Sequence, residues 1–199
     1  MRFVVATHNQ HKLQEVSRIL APLGVEVITV DNLPDTEETG ETFAENAYLK
    51  AADACRFTGL PAIADDSGLT VDALNGAPGV YTARYAGENA TDLDRMQKLV
   101  GALDGVVDKD RTAQFRSAIC CVFPNGDMLT ANGACHGRIG YAPRGENGFG
   151  YDPIFLTDDF VGKTMAEITA AQKDAISHRG AALRAFAAQL QSYLDRGIV

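Results

Sequence analysis

Phe3-Val4-Val5-Ala6, followed at once by Thr7-His8-Asn9-Gln10-His11-Lys12, is a short apolar, β-branched run that breaks off on polar residues. A buried strand feeding a helix has this pattern. Beyond it Leu13, Val16, Ile19 and Leu20 recur at helical spacing on one face, and Pro22 and Gly24 mark the stop. Val25 to Val30 then reads as a second strand. Strand, helix and strand in that order predict an α/β domain whose strands are at least partly parallel.

Further along, Thr42-Phe43-Ala44-Glu45 has capping-box spacing, and Phe43, Ala47, Ala51 and Ala54 form a small-residue stripe on a helix reaching about Thr58. Such a stripe packs closely against a sheet. Pro61-Ala62-Ile63-Ala64 reads as another buried strand, expected to end at Asp65-Asp66-Ser67-Gly68. Ala90 to Leu103 is a predicted helix with Leu93, Met96, Leu99 and Val100 facing inward. Arg111 to Phe123 is an extended strand, which Pro124-Asn125-Gly126-Asp127 turns into a return strand from Met128 to about His136. Arg144 to Gly150 is a glycine-rich loop, and a last helix from about Ser177 carries Leu183, Phe186, Leu190 and Leu194 at core-facing intervals. Parallel pairing at the start and a hairpin later make the sheet mixed.

With 199 residues, 46% of them hydrophobic, the chain suits one sizeable domain over 1–199, or one domain with two lobes. It has no internal repeat and no low-complexity linker. The 26 acidic and 18 basic side chains leave a formal charge of −8, which opposes binding to nucleic acid or to an anionic membrane. A small anionic substrate remains compatible, provided lysine, arginine and a metal ion gather locally. Cys55, Cys120, Cys121 and Cys135 show no Cys-x-x-Cys spacing, so they read as small buried apolar residues in a reducing compartment. The apolar run at the start is too short for a signal peptide or a membrane span, and a cytoplasmic location is expected.

Five constellations are candidates for chemistry. Thr7, His8, Asn9, Gln10, His11 and Lys12 stand where a strand becomes a helix, so free N–H groups and the helix dipole can hold phosphate there, unless Thr7 or Asn9 merely caps the helix. The adjacent carboxylates of Asp65 and Asp66 repel each other and call for a compensating cation, magnesium being a natural hard ion, unless the stretch is a surface turn. Glu38, in the acidic run Glu37 to Glu41, either completes that carboxylate set or is a solvated residue near a helix start, and Lys50 is equally ambiguous. Gly148-Phe149-Gly150-Tyr151-Asp152-Pro153 either lets an aromatic ring stack on a base, with Asp152 accepting from the base edge, or is a turn whose aromatics belong to the core. Last come Lys173 and Ser177-His178-Arg179-Gly180, where Ser177 as a plain cap is the alternative. The four histidines have no zinc-site spacing.

The order of these elements carries a resemblance. From Thr7-x-Asn9-x-x-Lys12, through Glu38-Thr39-Gly40-x-Thr42-Phe43-x-Glu45-Asn46-Ala47, Ala64-Asp65-Asp66-Ser67-Gly68-Leu69 and Gly148-Phe149-Gly150-Tyr151-Asp152-Pro153, to Ser177-His178-Arg179-Gly180, the chain resembles the Ham1/RdgB-like inosine triphosphate pyrophosphatases. The resemblance implies an elongated α/β fold around a long central mixed sheet flanked by helices, with two lobes, a substrate cleft between them, and a homodimer. It also implies Mg²⁺-dependent cleavage of ITP, dITP or XTP to the monophosphate and pyrophosphate. In such proteins the Thr7 to Lys12 segment binds phosphate, Glu38 and Asp66 serve the magnesium with Asp65 beside them, and Asp66 accepts the proton. Ser67, the Phe149 to Asp152 stretch, Lys173, His178 and Arg179 match substrate contacts, the last three as candidate donors to a 6-keto base, and Lys50 is expected with Lys12 at the phosphates. Two alternatives are a Maf-like nucleotide pyrophosphatase, whose usual Ser-x-Ser-Pro-x-Arg opening is missing here, and a nucleotide-binding sensor without catalysis.

Overall fold

The computed structural model describes residues 2–197. Its strands are β1 (Arg2–Val5), β2 (Glu26–Ile28), β3 (Ala62–Val71), β4 (Thr112–Val122), β5 (Met128–Ile139) and β6 (Phe155–Thr157). Its α-helices are α1 (Gln10–Leu20), α2 (Phe43–Thr58), α3 (Asp92–Ala102), α4 (Ala170–Ile176) and α5 (His178–Leu194). The strands form one sheet in the order β2-β1-β3-β4-β5-β6. β1 pairs in parallel with β2 and β3, β5 pairs antiparallel with β6, and the sheet is mixed as expected. The chain divides into two compact units: residues up to Asp66, Ser117–Gly133 and Arg179 onward make the first, and Ser67–Arg116 with Ala134–His178 make the second.

In the first unit, strand alternation sorts side chains into two layers. Phe3, Val5, Ile63, Ile119, Cys121 and Phe123 pack with Val16 and Leu20 of α1 and with Leu183, Phe186 and Leu190 of α5. The intervening Val4, Ala6, Ala62, Ala64, Ala118 and Cys120 pack with Ala47, Ala51 and Ala54 of α2. One face of this part of the sheet therefore belongs to α1 and α5, and the other to α2. The small residues facing α2 are what the alanine stripe predicts. That helix begins with a complete capping box between Thr42 and Glu45 and ends on Gly59 in the left-handed region at φ +66°.

In the second unit Leu69, Val71, Phe115, Ile139 and Phe155 share a core with Met96 and Leu99 of α3 and with Met165 and Ile168. Arg111 is 1% exposed and ties this unit together: Nε donates to Ile139 O at 2.8 Å, Nη1 to Leu103 O at 2.9 Å and Nη2 to Gly140 O at 3.0 Å. Its guanidinium also lies 4.3 Å from the Tyr141 ring centre.

Several expectations change. β3 does not end at the aspartate pair but runs on to Val71, because Leu69 and Val71 continue the buried pattern and the carboxylates find partners inside. The surface-turn reading of that stretch is thereby excluded. Leu93 faces solvent at 51% exposure, since Thr91 caps α3 and sets its phase on Met96 and Leu99. β2 is shorter than Val25 to Val30, β5 extends beyond His136, and the short β6 and α4 lacked a run long enough to read. The four cysteines are free and buried, and burial pushes the thiols of Cys120 and Cys135 up to about 11. Among the described residues no helix is long and apolar enough to cross a membrane.

Replacing Arg111 with Met leaves three buried carbonyls without these donors, at about 1–3 kcal/mol each. Urea denaturation is expected to show a loss of about 3 kcal/mol or more; a loss well under about 1 kcal/mol would mean that other donors take over.

Candidate functional site

The turn from β1 into α1 is built by Thr7 and Asn9. Thr7 Oγ1 accepts from Asn9 N at 3.1 Å, and Asn9 Oδ1 accepts from His11 N at 2.9 Å and Lys12 N at 3.2 Å. Asn9 is thus the helix cap. His8, Gln10 and His11 are exposed, with His8 Nε2 3.0 Å from Asp35 Oδ1. Lys12 alone of this segment turns inward, its Nζ 2.8 Å from Asp65 Oδ2.

Asp65 and Asp66 are consecutive in β3, so they point to opposite faces. Asp65 follows the phase of Ile63, toward α1 and α5. There its Oδ2 accepts from Lys12 Nζ, Arg179 Nε at 3.2 Å and Arg179 Nη2 at 3.1 Å, and its Oδ1 from Ser117 Oγ at 2.5 Å. Arg179 Nη1 in turn pairs with the buried Glu15 carboxylate. Burial pushes the Asp65 carboxyl up, but Arg179, Lys12 and the hydrogen bonds of Lys12 and Ser117 outweigh it and hold Asp65 well below its ordinary range. Burial likewise lowers Lys12, with the nearby charges of Arg179 and Lys50 acting in the same sense against the pull of Asp65.

Asp66 follows the phase of Ala64, toward α2. Its Oδ1 is 2.6 Å from Lys50 Nζ, which is also 3.0 Å from Glu38 Oε1. Burial pushes the Asp66 carboxyl up, and the opposing attraction of Lys50 does not cancel it. Two neighbours in sequence are therefore driven apart in acidity by the faces on which they lie, Asp65 toward the stronger acid and Asp66 toward the weaker.

The expected carboxylate set is not gathered as a threesome: Asp65 is engaged by cations on the other face, and no group of three or more His, Cys, Asp or Glu forms a metal cage among the described residues. Glu38 and Asp66, however, converge on the one ammonium of Lys50. Hard oxygens at a point that attracts positive charge suit a small divalent cation held by one or two carboxylates together with substrate phosphates.

In the second unit Asp152 Oδ2 accepts from Phe149 N at 2.9 Å and Lys173 Nζ at 2.7 Å, and Lys173 Nζ lies 4.6 Å from the Phe149 ring centre. Gly148, at φ +77°, has no alternative, since a Cβ there would sit 2.1 Å from Asp152 Oδ2. Gly150 N donates to Asp92 Oδ2 at 2.8 Å. The aromatic pair divides: Phe149 stays partly accessible, whereas Tyr151 is buried with its hydroxyl donating to Thr82 O at 3.1 Å. Tyr151 is thus a core residue and Asp152 organises the loop. His178 stacks on Phe115 with ring centres 4.9 Å apart, and Ser67 is half-buried in β3. Arg179, expected among the base donors, has its guanidinium hydrogen-bonded to Asp65 and Glu15.

Sequence reading missed Ser117, Glu15 and Asp92. Ser117 had a signal, a hydroxyl in phase with the apolar Ala113, Phe115 and Ile119 of β4. Glu15 had a weaker one, an acid beside the apolar stripe of α1 and three residues after Lys12. Asp92, at the start of α3, looks like any first-turn acid.

The Ham1 family model matches residues 3–189. A protein from an Exiguobacterium species named dITP/XTP pyrophosphatase is 47% identical over 197 residues, 98% of this chain and 99% of its own. Another of that name from Geobacter sulfurreducens is 50% identical over 185 residues, 92% of each chain. The structure of a HAM1 protein from Coxiella burnetii superimposes with a TM-score of 0.89 at 46% identity, covering 96% of this chain and 99% of that one. The chain belongs to the Ham1 family, and the Maf-like alternative gives way.

Ionisation of Asp65 and of Asp66 is expected to affect stability with opposite signs. The folded value of Asp65 is depressed, so its contribution is complete above the ordinary aspartate value of about 3.9 and is lost as pH falls through the folded value. Asp65→Asn also strands Lys12 and Arg179 and is expected to cost about 3 kcal/mol or more near neutral pH. The folded value of Asp66 is raised, so its ionisation subtracts stability at neutral pH, while the same carboxylate, against the effect of burial, raises Lys50 and returns part of that; Asp66→Asn is therefore expected to cost far less than Asp65→Asn in urea denaturation. Equal losses in both variants would contradict the division of roles.

Proposed function

We propose that this chain is a magnesium-dependent pyrophosphohydrolase that converts ITP, dITP and XTP to the monophosphate and pyrophosphate, clearing non-standard purine nucleotides from the cytoplasmic pool. The observation that carries the reading is the pairing of a raised carboxyl, Asp66, with Glu38 and Lys50 on one face, next to a cation cluster on the other. The name of the relatives, dITP/XTP pyrophosphatase, supports the reading for dITP and XTP. Assembly as a homodimer, which the family resemblance implies, belongs to the same proposal.

Glu38 and Asp66 would hold the magnesium, which when bound supplies positive charge at the triphosphate oxygens. Asp66 orients a water and accepts its proton as the water oxygen bonds to the α-phosphorus; the bond from that phosphorus to the bridging oxygen breaks, and pyrophosphate leaves with the electron pair. The raised pKa suits Asp66 to this work, because an acceptor whose pKa lies nearer the working pH gains more from the transfer. Lys50, displaced from the two carboxylates, and Lys12, fixed in direction by Asp65, bring positive charge to the phosphates, and the α1 amino terminus adds its dipole.

In the second unit, Phe149 offers a face on which a base can stack, Lys173 backs it, and Asp152 fixes both. Donors from Lys173 and His178 suit a 6-keto base and would face an amino group in adenine. A buried mismatch of this kind discriminates by about 10⁴ or more.

Pyrophosphate release from a panel of nucleotides at fixed Mg²⁺ tests the proposal. ITP, dITP and XTP are expected as good substrates, with ATP and GTP poor and EDTA abolishing release. Asp66→Asn is expected to lower kcat by roughly 10²-fold or more with the fold intact. Equal turnover of ATP and ITP would overturn the base assignment, and near-wild-type turnover by Asp66→Asn would remove its role.

A further inference from the structure

Asn46 is fully buried in the first turns of α2, yet its side chain does not serve the helix. Its Oδ1 accepts from Gly40 N at 2.8 Å, and its Nδ2 donates to Gly40 O at 3.4 Å. Both polar atoms of the amide thus engage both polar groups of one peptide-bearing residue, a pairing that fixes position and orientation together. A neighbouring clamp closes the other side of the loop, where Glu45 Oε2 accepts from Glu41 N at 2.7 Å and Thr42 N at 3.0 Å. The fit around Gly40 leaves no slack: a Cβ there would lie 2.6 Å from Asn46 Oδ1 and 2.7 Å from Glu45 Cβ.

Gly40 is two residues after Glu38, and Lys50 is one helical turn beyond Asn46, on the same face of α2. One helix face therefore holds the main chain beside Glu38 through Asn46 and the Glu38 carboxylate through Lys50. The loop from Glu37 to Glu41 has no regular structure of its own; Thr39 N donates to Glu37 O at 3.0 Å across Glu38, and the Asn46 contact to Gly40 ties the chain just beyond that turn to α2. A buried amide is costly when its hydrogen bonds are unmade, which makes the arrangement all or none.

We infer that Asn46 is a positioning residue for the reaction, acting through Gly40 to place the Glu38 carboxylate opposite Asp66. The inference rests on the pyrophosphohydrolase reading given above, and it assigns Asn46 no contact with substrate. Groups that orient a metal-binding carboxylate from behind commonly change affinity or activity by about 10–100-fold when removed.

A double-mutant cycle on ITP hydrolysis at fixed Mg²⁺ separates positioning from general packing. Asn46→Ala is expected to lower kcat/KM by about tenfold or more in the wild-type background and by less than about twofold once Glu38→Gln is present. Gly40→Ala, which displaces the same loop while leaving Asn46 in place, is expected to behave alike and stands in if Asn46→Ala does not fold. Equal losses in both backgrounds, for either substitution, would overturn the inference, because the effect would then not pass through Glu38. Hydrogen exchange of the Glu37 to Glu41 amides supplies a readout independent of activity. Faster exchange there in Asn46→Ala or Gly40→Ala, with β3 unchanged, is expected, and unchanged exchange would overturn the positioning role. If Glu38→Gln alone retains wild-type turnover, the failure lies with the role given to Glu38 in catalysis, and the exchange measurement still decides whether Asn46 holds the loop.

Discussion

Consecutive residues of a strand point to opposite faces, and in β3 this falls between two aspartates. Asp65 goes to the side where α1 and α5 pack, and meets Lys12, Arg179 and Ser117; Asp66 goes to the side of α2, and meets Lys50. Two adjacent carboxylates on one surface would repel and share protons. Placed on two faces, one stays an anion that orders cations, and the other keeps a raised pKa. The apolar layers set this up, because the same alternation that sends Ile63 to α1 and α5 and Ala64 to α2 carries on into the pair.

On each face acids balance the cations, Lys12 and Arg179 against Asp65 and Glu15 and Lys50 against Glu38 and Asp66, so a triphosphate would need a bound divalent ion as well as these side chains. Arg179 and Lys12 are held against Asp65, with Glu15 taking a further N–H of Arg179, so the cations are kept in place by buried acids and not by solvent. In the second unit Lys173 is held in the same manner by Asp152 and rests on Phe149. Pairs like these add little net stability, yet breaking one leaves an uncompensated buried charge. Their contribution is to direction: an ammonium with a fixed anion behind it points one way.

Much of this was legible in the sequence. The opening strand and helix, the capping box at Thr42 and Glu45, the alanine stripe and the mixed sheet are all local signals of period or cap, and local signals survive folding. The convergence of Lys12 on Asp65 and of Lys50 on Glu38 and Asp66 spans distant segments, and only the order of motifs hinted at it. β3 was read as ending at its aspartates because polar residues usually end a buried run; here long-range partners made burial tolerable and the strand continued. Tyr151 and Phe149 could not be told apart in a glycine-rich loop, since both are aromatic and only packing sends one into the core. The pairing of Arg179 with Glu15 and Asp65 joins three distant segments, and no local pattern announces it.

The acidity of the two carboxyl groups can be followed one at a time by ¹³C NMR of aspartate-labelled protein across a pH titration, with Asp65→Asn and Asp66→Asn used to assign the signals. The account predicts that Asp65 remains ionised well below the ordinary aspartate range while Asp66 takes up its proton above it. Titration of both near a common value, or of Asp65 above Asp66, would contradict it.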